Sequence, residues 1–332
     1  MTVLTCGICA HDCPFPEASD FTGRCRTRRR VGDKIESLVY GRLVAEHVDP
    51  IEKKPLFHVL PASLTYSIAT VGCNFHCAQC QNSGISQVNA SIPPEKTGQI
   101  RTPAEVVRRA LATGCRSISY TYVEPTIFLE FALDCCREAN SLGLGNIFVS
   151  NGFMSAASAE LLASTLTAIN IDLKSFSDEF YRKICGGRLQ PVLDNITCFH
   201  RSDVWLEVTT LLIPGLNDSP AEIAAMADFL VALSPDIPWH ISGFRPAYKL
   251  ANLPPTPADV LIKARETALT HGLRYVYTGN RPGIPGENTL CPRCRAVVIS
   301  RNGHRVTGHR LQGGTCPDCG ASIYGVWESF RP

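Results

Sequence analysis

Gly72-Cys73-Asn74-Phe75-His76-Cys77-Ala78-Gln79-Cys80-Gln81-Asn82 follows directly on a β-rich run at 65–71. The stretch is therefore expected to form the first loop beyond the C-terminal end of a parallel strand. Its C-x3-C-x2-C spacing offers three thiolates from one tight turn and no fourth. That number decides the reading. Structural zinc sites are closed by four ligands, whereas a [4Fe–4S] cluster held by three cysteines keeps one iron open to an exogenous ligand. The competing reading is a zinc site completed by His76 or by buried thiols. Placement immediately after a strand favours the cluster.

Outward from this loop, residues 64 to 280 alternate short β-rich runs with helical stretches, the pattern of βα units around a parallel sheet. Strands are predicted at 65–71, 116–122, 146–150, 168–173, 205–213 and 239–244, with 273–277 as a seventh candidate. Thr102-Pro103-Ala104-Glu105 and Ser219-Pro220-Ala221-Glu222 read as capping boxes with proline at the first helical position, and Thr256-Pro257-Ala258-Asp259 as a weaker copy. Gly143 and Gly272 are expected to end two of the helices. Six such units make an α/β fold, a partial (β/α)6 barrel, with its chemistry at the C-terminal ends of the strands.

A three-cysteine loop in this position resembles the radical SAM superfamily, in which the open iron is chelated by the amino and carboxylate groups of S-adenosylmethionine (SAM). The resemblance implies reductive cleavage of SAM to methionine and a 5′-deoxyadenosyl radical that abstracts hydrogen from a substrate. It also directs attention to the other strand ends. Glu124, in Thr121-Tyr122-Val123-Glu124-Pro125-Thr126, falls where the superfamily has a glutamate near the methionyl amino group. Asn151 ends the third strand, where an amide can bond ribose hydroxyls. Asp172 and Lys174 end the fourth, setting an ammonium where it can pair with a carboxylate. Glu207 and Thr209 share a face of the fifth strand, and His240 on the sixth is a further ligand contact.

The resemblance narrows with Asp49-Pro50-Ile51-Glu52-Lys53-Lys54-Pro55-Leu56-Phe57-His58 ahead of the loop and Cys316-Pro317-Asp318-Cys319-Gly320 to Gly325-Val326-Trp327-Glu328 at the end. Together with the motifs above, these are similar to the AmmeMemoRadiSam radical SAM family, whose members resemble pyruvate formate-lyase activating enzymes in their core. That family often has asparagine where Val123 stands, glycine at Ala62 and tryptophan at Ser83. It implies AMMECR-type and Memo-type proteins as partners, a one-electron donor of the flavodoxin or ferredoxin type, and a peptide or protein substrate; installing a glycyl radical is one version.

Composition fits this frame. The 332 residues are 45% hydrophobic and 19% charged with net charge +2, which excludes a disordered tail protein and a polyanion-binding protein. Met1-Thr2-Val3-Leu4-Thr5 lacks the basic and apolar regions of a secretory signal. The longest apolar runs are far short of a bilayer span. A reducing cytoplasm is expected, where the 16 cysteines are metal ligands more often than disulfides. Cys115, Cys135, Cys136, Cys185 and Cys198 fall in apolar segments and read as core.

The others flank the barrel, dividing the chain into an N-terminal Cys-rich metal-binding module (1–63), a core (64–285) and a C-terminal module (286–332). Cys291, Cys294, Cys316 and Cys319 form paired C-P-x-C knuckles of the zinc-ribbon or rubredoxin-like kind, with zinc preferred. Cys6, Cys9 and Cys13-Pro14 resemble the end of a ferredoxin run and Cys25 adds a fourth ligand, so that zinc, the reading preferred here, competes with an auxiliary iron–sulfur cluster. Arg24, Arg26, Arg28, Arg29 and Arg30 read as a solvated basic face or an acidic-peptide dock, without the interleaved aromatics of a nucleic-acid site. A non-catalytic scaffold with zinc in all three sets is the rival from another class.

Overall fold

Ile118, Ile147, Ile169, Ile171, Val208 and Ile241 are all fully buried, as apolar residues in parallel strands covered on both faces must be. In the computed structural model, which describes residues 3–17, 19–87 and 92–330, they build one eight-stranded sheet. Its strands are β1 (Ala45–Pro50), β2 (Leu64–Ala69), β3 (Ser117–Tyr120), β4 (Gly145–Ser150), β5 (Ala168–Asp172), β6 (Trp205–Leu212), β7 (Trp239–Gly243) and β8 (Val276–Gly279). They neighbour one another in chain order. β2 through β8 are parallel, and β1 pairs antiparallel with β2.

Helices α1 (Pro103–Ala112), α2 (Leu129–Ser141), α3 (Ala156–Ala163), α4 (Gln190–His200), α5 (Pro220–Leu233) and α6 (Ala258–Thr270) fill the crossovers. The chain is thus a mixed α/β fold with an open, partial barrel. The seventh candidate strand exists, shifted to Val276–Gly279. β1 lies ahead of the boundary expected at 63/64, so the core sheet reaches back into the segment read as a metal module.

The caps sort by what else their side chains can reach. Thr102 forms the full box: its hydroxyl accepts from Glu105 N at 3.2 Å while Glu105 accepts from Thr102 N at 2.8 Å. Ser219 accepts from Glu222 N at 3.2 Å, but the Glu222 carboxylate turns to Ser175 Oγ and to Phe176 N at 2.9 Å, tying α5 to the loop after β5. The third box does not form. Thr256 donates to Leu212 O at 2.6 Å and accepts from Phe244 N at 2.8 Å, so its hydroxyl holds two strand ends instead of capping α6.

The C-terminal segment folds as a three-stranded antiparallel sheet, β9 (Thr289–Leu290), β10 (Val297–Asn302) and β11 (Arg305–His309). It shares a core with the barrel, in which Phe57, Tyr275 and Tyr277 pack with Cys291, Val298, Ile299, Cys316 and Ile323. Leu60 N donates to Val326 O and Val326 N to His58 O, both at 2.7 Å.

Candidate active site

The cysteine loop leaves β2 through Gly72, whose φ is +94°. A Cβ there would stand 2.4 Å from Thr27 Cγ2 and 2.8 Å from Cys25 O, so only glycine fits. Phe75 is buried and occupies the space that a side chain at Gly187 would fill. Two backbone bonds, His76 N to Cys185 O (2.8 Å) and Ala78 N to Ile184 O (2.9 Å), hang the loop on the π-helical turn Tyr181–Cys185. His76 turns away as a ligand, its Nδ1 sharing a hydrogen bond with Gln87 Oε1 at 2.8 Å. Cys73, Cys77 and Cys80 all face one cavity of about 810 Å³. Among the described residues their sulfurs do not draw together within 4.8 Å as a single-ion site would.

That cavity lies across the C-terminal ends of the strands, and every residue expected around SAM lines it: Glu124, Asn151, Asp172, Lys174 and His240. Glu124 braces the rim. Its Oε1 accepts from Thr126 N, Thr126 Oγ1 and Ser150 Oγ, while its Oε2 accepts from Asn151 N at 2.7 Å and keeps room for another donor. Asn151 Nδ2 donates to Asn74 Oδ1 at 2.7 Å, joining the third strand end to the cysteine loop. Lys174 Nζ sits 2.8 Å from Asp172 Oδ2. Burial works against the Lys174 charge, but Asp172 and the thiols of Cys77 and Cys185 outweigh it and hold the ammonium well above the usual lysine value. The oxygens Gln79 Oε1 and Thr209 Oγ1 are buried, have no partner within the protein and belong to residues of the cavity wall. An unpaired buried acceptor is costly, so these walls fit a polar ligand.

Glu207 and Thr209 share a face of β6, but only Thr209 lines the cavity. Glu207 is fully buried below the cavity and accepts from Phe57 N (3.0 Å), His58 N (2.8 Å) and Trp205 Nε1 (3.0 Å), with His240 Nε2 at 2.6 Å. Burial raises its pKa, yet His240 and His58 more than offset that and leave it lowered. His240 is thereby anchored on the floor. His58 continues the network to Tyr277 Oη at 2.6 Å, and Arg301 reaches Phe57 O at 2.7 Å.

Two features escape a reading of the sequence. Lys54 is 1% exposed and pairs with Asp49 Oδ2 at 2.7 Å, under the ring of Tyr122. Burial lowers its pKa to about 8. The signal was a Lys53-Lys54 pair interrupting an apolar motif. Cys185 is fully buried in the barrel core, as expected, and also lies beside Cys77, whose thiol it pushes well up, with burial adding to this. Its marker was the adjoining Gly186-Gly187. Cys115, Cys135 and Cys136 are buried in the barrel core, and Cys198 packs against it.

Cys291, Cys294, Cys316 and Cys319 have sulfurs within 4.8 Å of one another, and the Cys291–Cys319 and Cys294–Cys316 pairs stand 3.6 and 3.7 Å apart. Tetrahedral thiolates on one ion at about 2.3 Å stand about 3.8 Å apart, so this group can hold a metal. Although burial opposes it, the backbone N–H groups of Cys294 and Arg293 hold the Cys291 thiol at about 7. The arginine cluster is not one solvated face. Arg28 is 3% exposed and forms a bidentate pair with Glu130, while Arg24 donates to Gly186 O at 3.2 Å.

Comparison with known proteins adds the family. The model of the Radical SAM superfamily matches residues 67–230. An uncharacterized protein of Methanocaldococcus jannaschii is 38% identical over 324 residues, 96% of this chain and 95% of that protein. The benzylsuccinate synthase activating enzyme of Thauera aromatica is 22% identical over 58% of this chain and 65% of its own. The structure of Streptococcus suis SuiB bound to S-adenosylmethionine superposes with a TM-score of 0.53 at 13% identity, over 69% of this chain and 53% of that one. Among the described residues no helix is long and apolar enough to cross a membrane. With a three-cysteine loop at the mouth of a partial barrel and a family match that covers the loop and the strands from β2 through β6, the chain belongs to the radical SAM superfamily and is an enzyme of that class, for which a [4Fe–4S] cluster and SAM are the implied cofactors.

Proposed function

We propose that Cys73, Cys77 and Cys80 hold three irons of a [4Fe–4S] cluster, that SAM binds the fourth, and that the substrate is a peptide or protein side chain. The observation that carries this reading is the set of three thiols, with no convergent fourth ligand among the described residues, opening on a cavity walled by polar strand ends. When bound and reduced, the cluster and SAM supply a 5′-deoxyadenosyl radical for hydrogen abstraction.

The protein's part is to hold and to exclude. Lys174, kept protonated beside Asp172, pairs with the methionyl carboxylate. Glu124 Oε2, with one bond made, accepts from the amino group. Asn151, fixed by Asn74, bonds the ribose, and His240, held by Glu207, closes the floor. Phe57, Val149 and Leu211 line the same cavity and keep water from the reacting C–H.

The likeness to an activating enzyme supports a macromolecular substrate, with AMMECR-type and Memo-type proteins as candidates and a flavodoxin- or ferredoxin-type electron donor. Zinc is the metal proposed for the C-terminal group. Anaerobic turnover of SAM with candidate partners and extract peptides labelled with deuterium, followed by mass spectrometry of the deoxyadenosine formed, tests the reading. Deuterium carried into deoxyadenosine supports it; deoxyadenosine that takes no deuterium from any peptide or protein refutes the substrate class. A glycyl radical visible by EPR on a partner would make the enzyme an activase.

A further inference from the structure

The N-terminal cysteines are built into the wall of the cysteine loop. The segment holding Cys6, Cys9 and Cys13 lies along the third strand end: Ala10 N donates to Phe153 O and Ser155 N to Ile8 O, both at 3.2 Å, and Cys9 pairs with Met154 in an antiparallel bridge. His11 Nε2 bonds Asn74 O at 2.9 Å inside the loop itself. Its ring packs on Phe153 and Phe75, with centroids 4.7 and 6.5 Å away. From the other side, the carbonyl of Cys25 crowds Gly72. The path from Cys9 to Cys73 is therefore one intervening residue, one imidazole, one hydrogen bond and one peptide unit. Cys9, Cys13 and Cys25 are buried, and Cys6 is half-exposed.

These four thiols come from one corner of the fold: Cys6 N donates to Cys13 O at 3.0 Å, and a Cβ on Gly23 would lie 3.2 Å from the Phe15 ring that follows Cys13 and 3.7 Å from Cys25 Sγ. Yet among the described residues they do not close into a knot within 4.8 Å, as the C-terminal four do. One zinc ion draws its thiolates together, whereas a cubane offers each thiolate its own iron and keeps them apart. On this measure the N-terminal set behaves like Cys73, Cys77 and Cys80 and unlike the C-terminal group.

We propose that Cys6, Cys9, Cys13 and Cys25 hold a second [4Fe–4S] cluster that relays single electrons from a ferredoxin- or flavodoxin-type protein to the centre at Cys73, Cys77 and Cys80. The relay rests on the reading of that loop given above; the metal site does not. In each transfer the donor is oxidised by one electron, the N-terminal cluster goes from the 2+ to the 1+ state, and it returns to 2+ as the loop centre is reduced. Half-exposed Cys6 marks the side that faces the donor.

The test is iron, sulfide and zinc content with EPR on anaerobically reconstituted full-length protein, comparing the wild type, Cys73→Ala/Cys77→Ala/Cys80→Ala and Cys9→Ala/Cys13→Ala. About eight irons are expected in the wild type and about four in each variant. The dithionite-reduced signal of the loop variant should be indifferent to SAM, and that of the N-terminal variant should shift on adding SAM. A loop variant with no iron and two zinc per chain overturns the inference and leaves the reading of Cys73, Cys77 and Cys80 intact. Four irons in the wild type that persist in the loop variant refute that reading and uphold the N-terminal site. Should Cys9→Ala/Cys13→Ala not fold, the loop variant alone decides. For the relay, the N-terminal variant should lose deoxyadenosine formation with flavodoxin as donor and regain it with dithionite. Undiminished formation with flavodoxin disproves the relay.

Discussion

The C-terminal cysteines and the central cysteine loop use the same ligand atom to opposite ends. Cys291, Cys294, Cys316 and Cys319 come from two knuckles separated by β10 and β11 and converge until their sulfurs touch, with backbone amides turned onto them. Cys73, Cys77 and Cys80 come from one loop, hang on a π-helical turn, and diverge around the edge of a cavity. The first arrangement closes on itself, and its buried side, Cys291 and Cys316, packs in an apolar core shared with the barrel floor. The second is left open, and its surroundings are polar side chains with unpaired oxygens. Coordination that is complete supplies folding energy; coordination that is incomplete supplies a place for a ligand.

The sharpest way to break this contrast is to remove each set in turn. Replacing Cys77 by Ala should abolish SAM cleavage, measured as deoxyadenosine formed under anaerobic reduction, while zinc stays at one per chain. Replacing Cys291 and Cys319 by Ala should do the reverse. Zinc is lost and thermal stability falls by roughly 4 kcal/mol or more, yet iron at the central loop and its SAM-dependent spectrum remain. If the second variant loses iron as readily as the first, the two sites are one folding unit and the contrast fails.

A smaller effect is expected within the open site. Asp172 is the partner that keeps Lys174 charged against its burial. Asp172→Asn should raise KM for SAM about ten-fold, with kcat changed less, because it weakens binding more than the later chemistry. Equal falls in kcat and kcat/KM would instead place the pair in the reaction step.

How far the sequence carries follows the same divide. Local chemistry was legible: the loop spacing, Thr102 with Glu105, and the strand-end residues Asn151, Asp172 and Lys174 all depend on neighbours a few positions apart. What depends on distant partners was not. The period of β6 places Glu207 on a face with Thr209 but says nothing of Phe57 and His58, about 150 residues earlier, which turn their amides onto it. Cys185 reads as packing, and nothing near it in sequence reveals Cys77. β1 was hidden because Glu46, His47 and Asp49 break the apolar pattern on an edge strand that needs only one buried face.

Lys54 offers a pH test that the closed site cannot show. It is protonated below its pKa of about 8, set by burial against the attraction of Asp49, and loses its charge as pH rises through that value. If its ammonium anchors substrate at the cavity wall, turnover at low substrate should decline between pH 7 and 9 with a midpoint near 8. Lys54→Arg, charged throughout, should flatten that profile, while the zinc content stays constant over the range. A profile unchanged by the substitution would remove Lys54 from the substrate wall.

The smallest expected effect lies where the two regions meet. Ala62 sits at φ +68° in the segment that carries Leu60 and His58 to Val326, and its N–H is held by Glu52 Oε1 at 2.9 Å. An alanine in the left-handed region costs about 1 kcal/mol that glycine does not. Ala62→Gly should therefore raise the thermal midpoint by about 1–2 °C with iron, zinc and deoxyadenosine formation all unchanged. That outcome would show the strap between barrel and ribbon to be a matter of stability alone. A gain in stability accompanied by altered SAM turnover would mean that the strap, through His58 and Glu207, also sets the position of His240 beneath the open site.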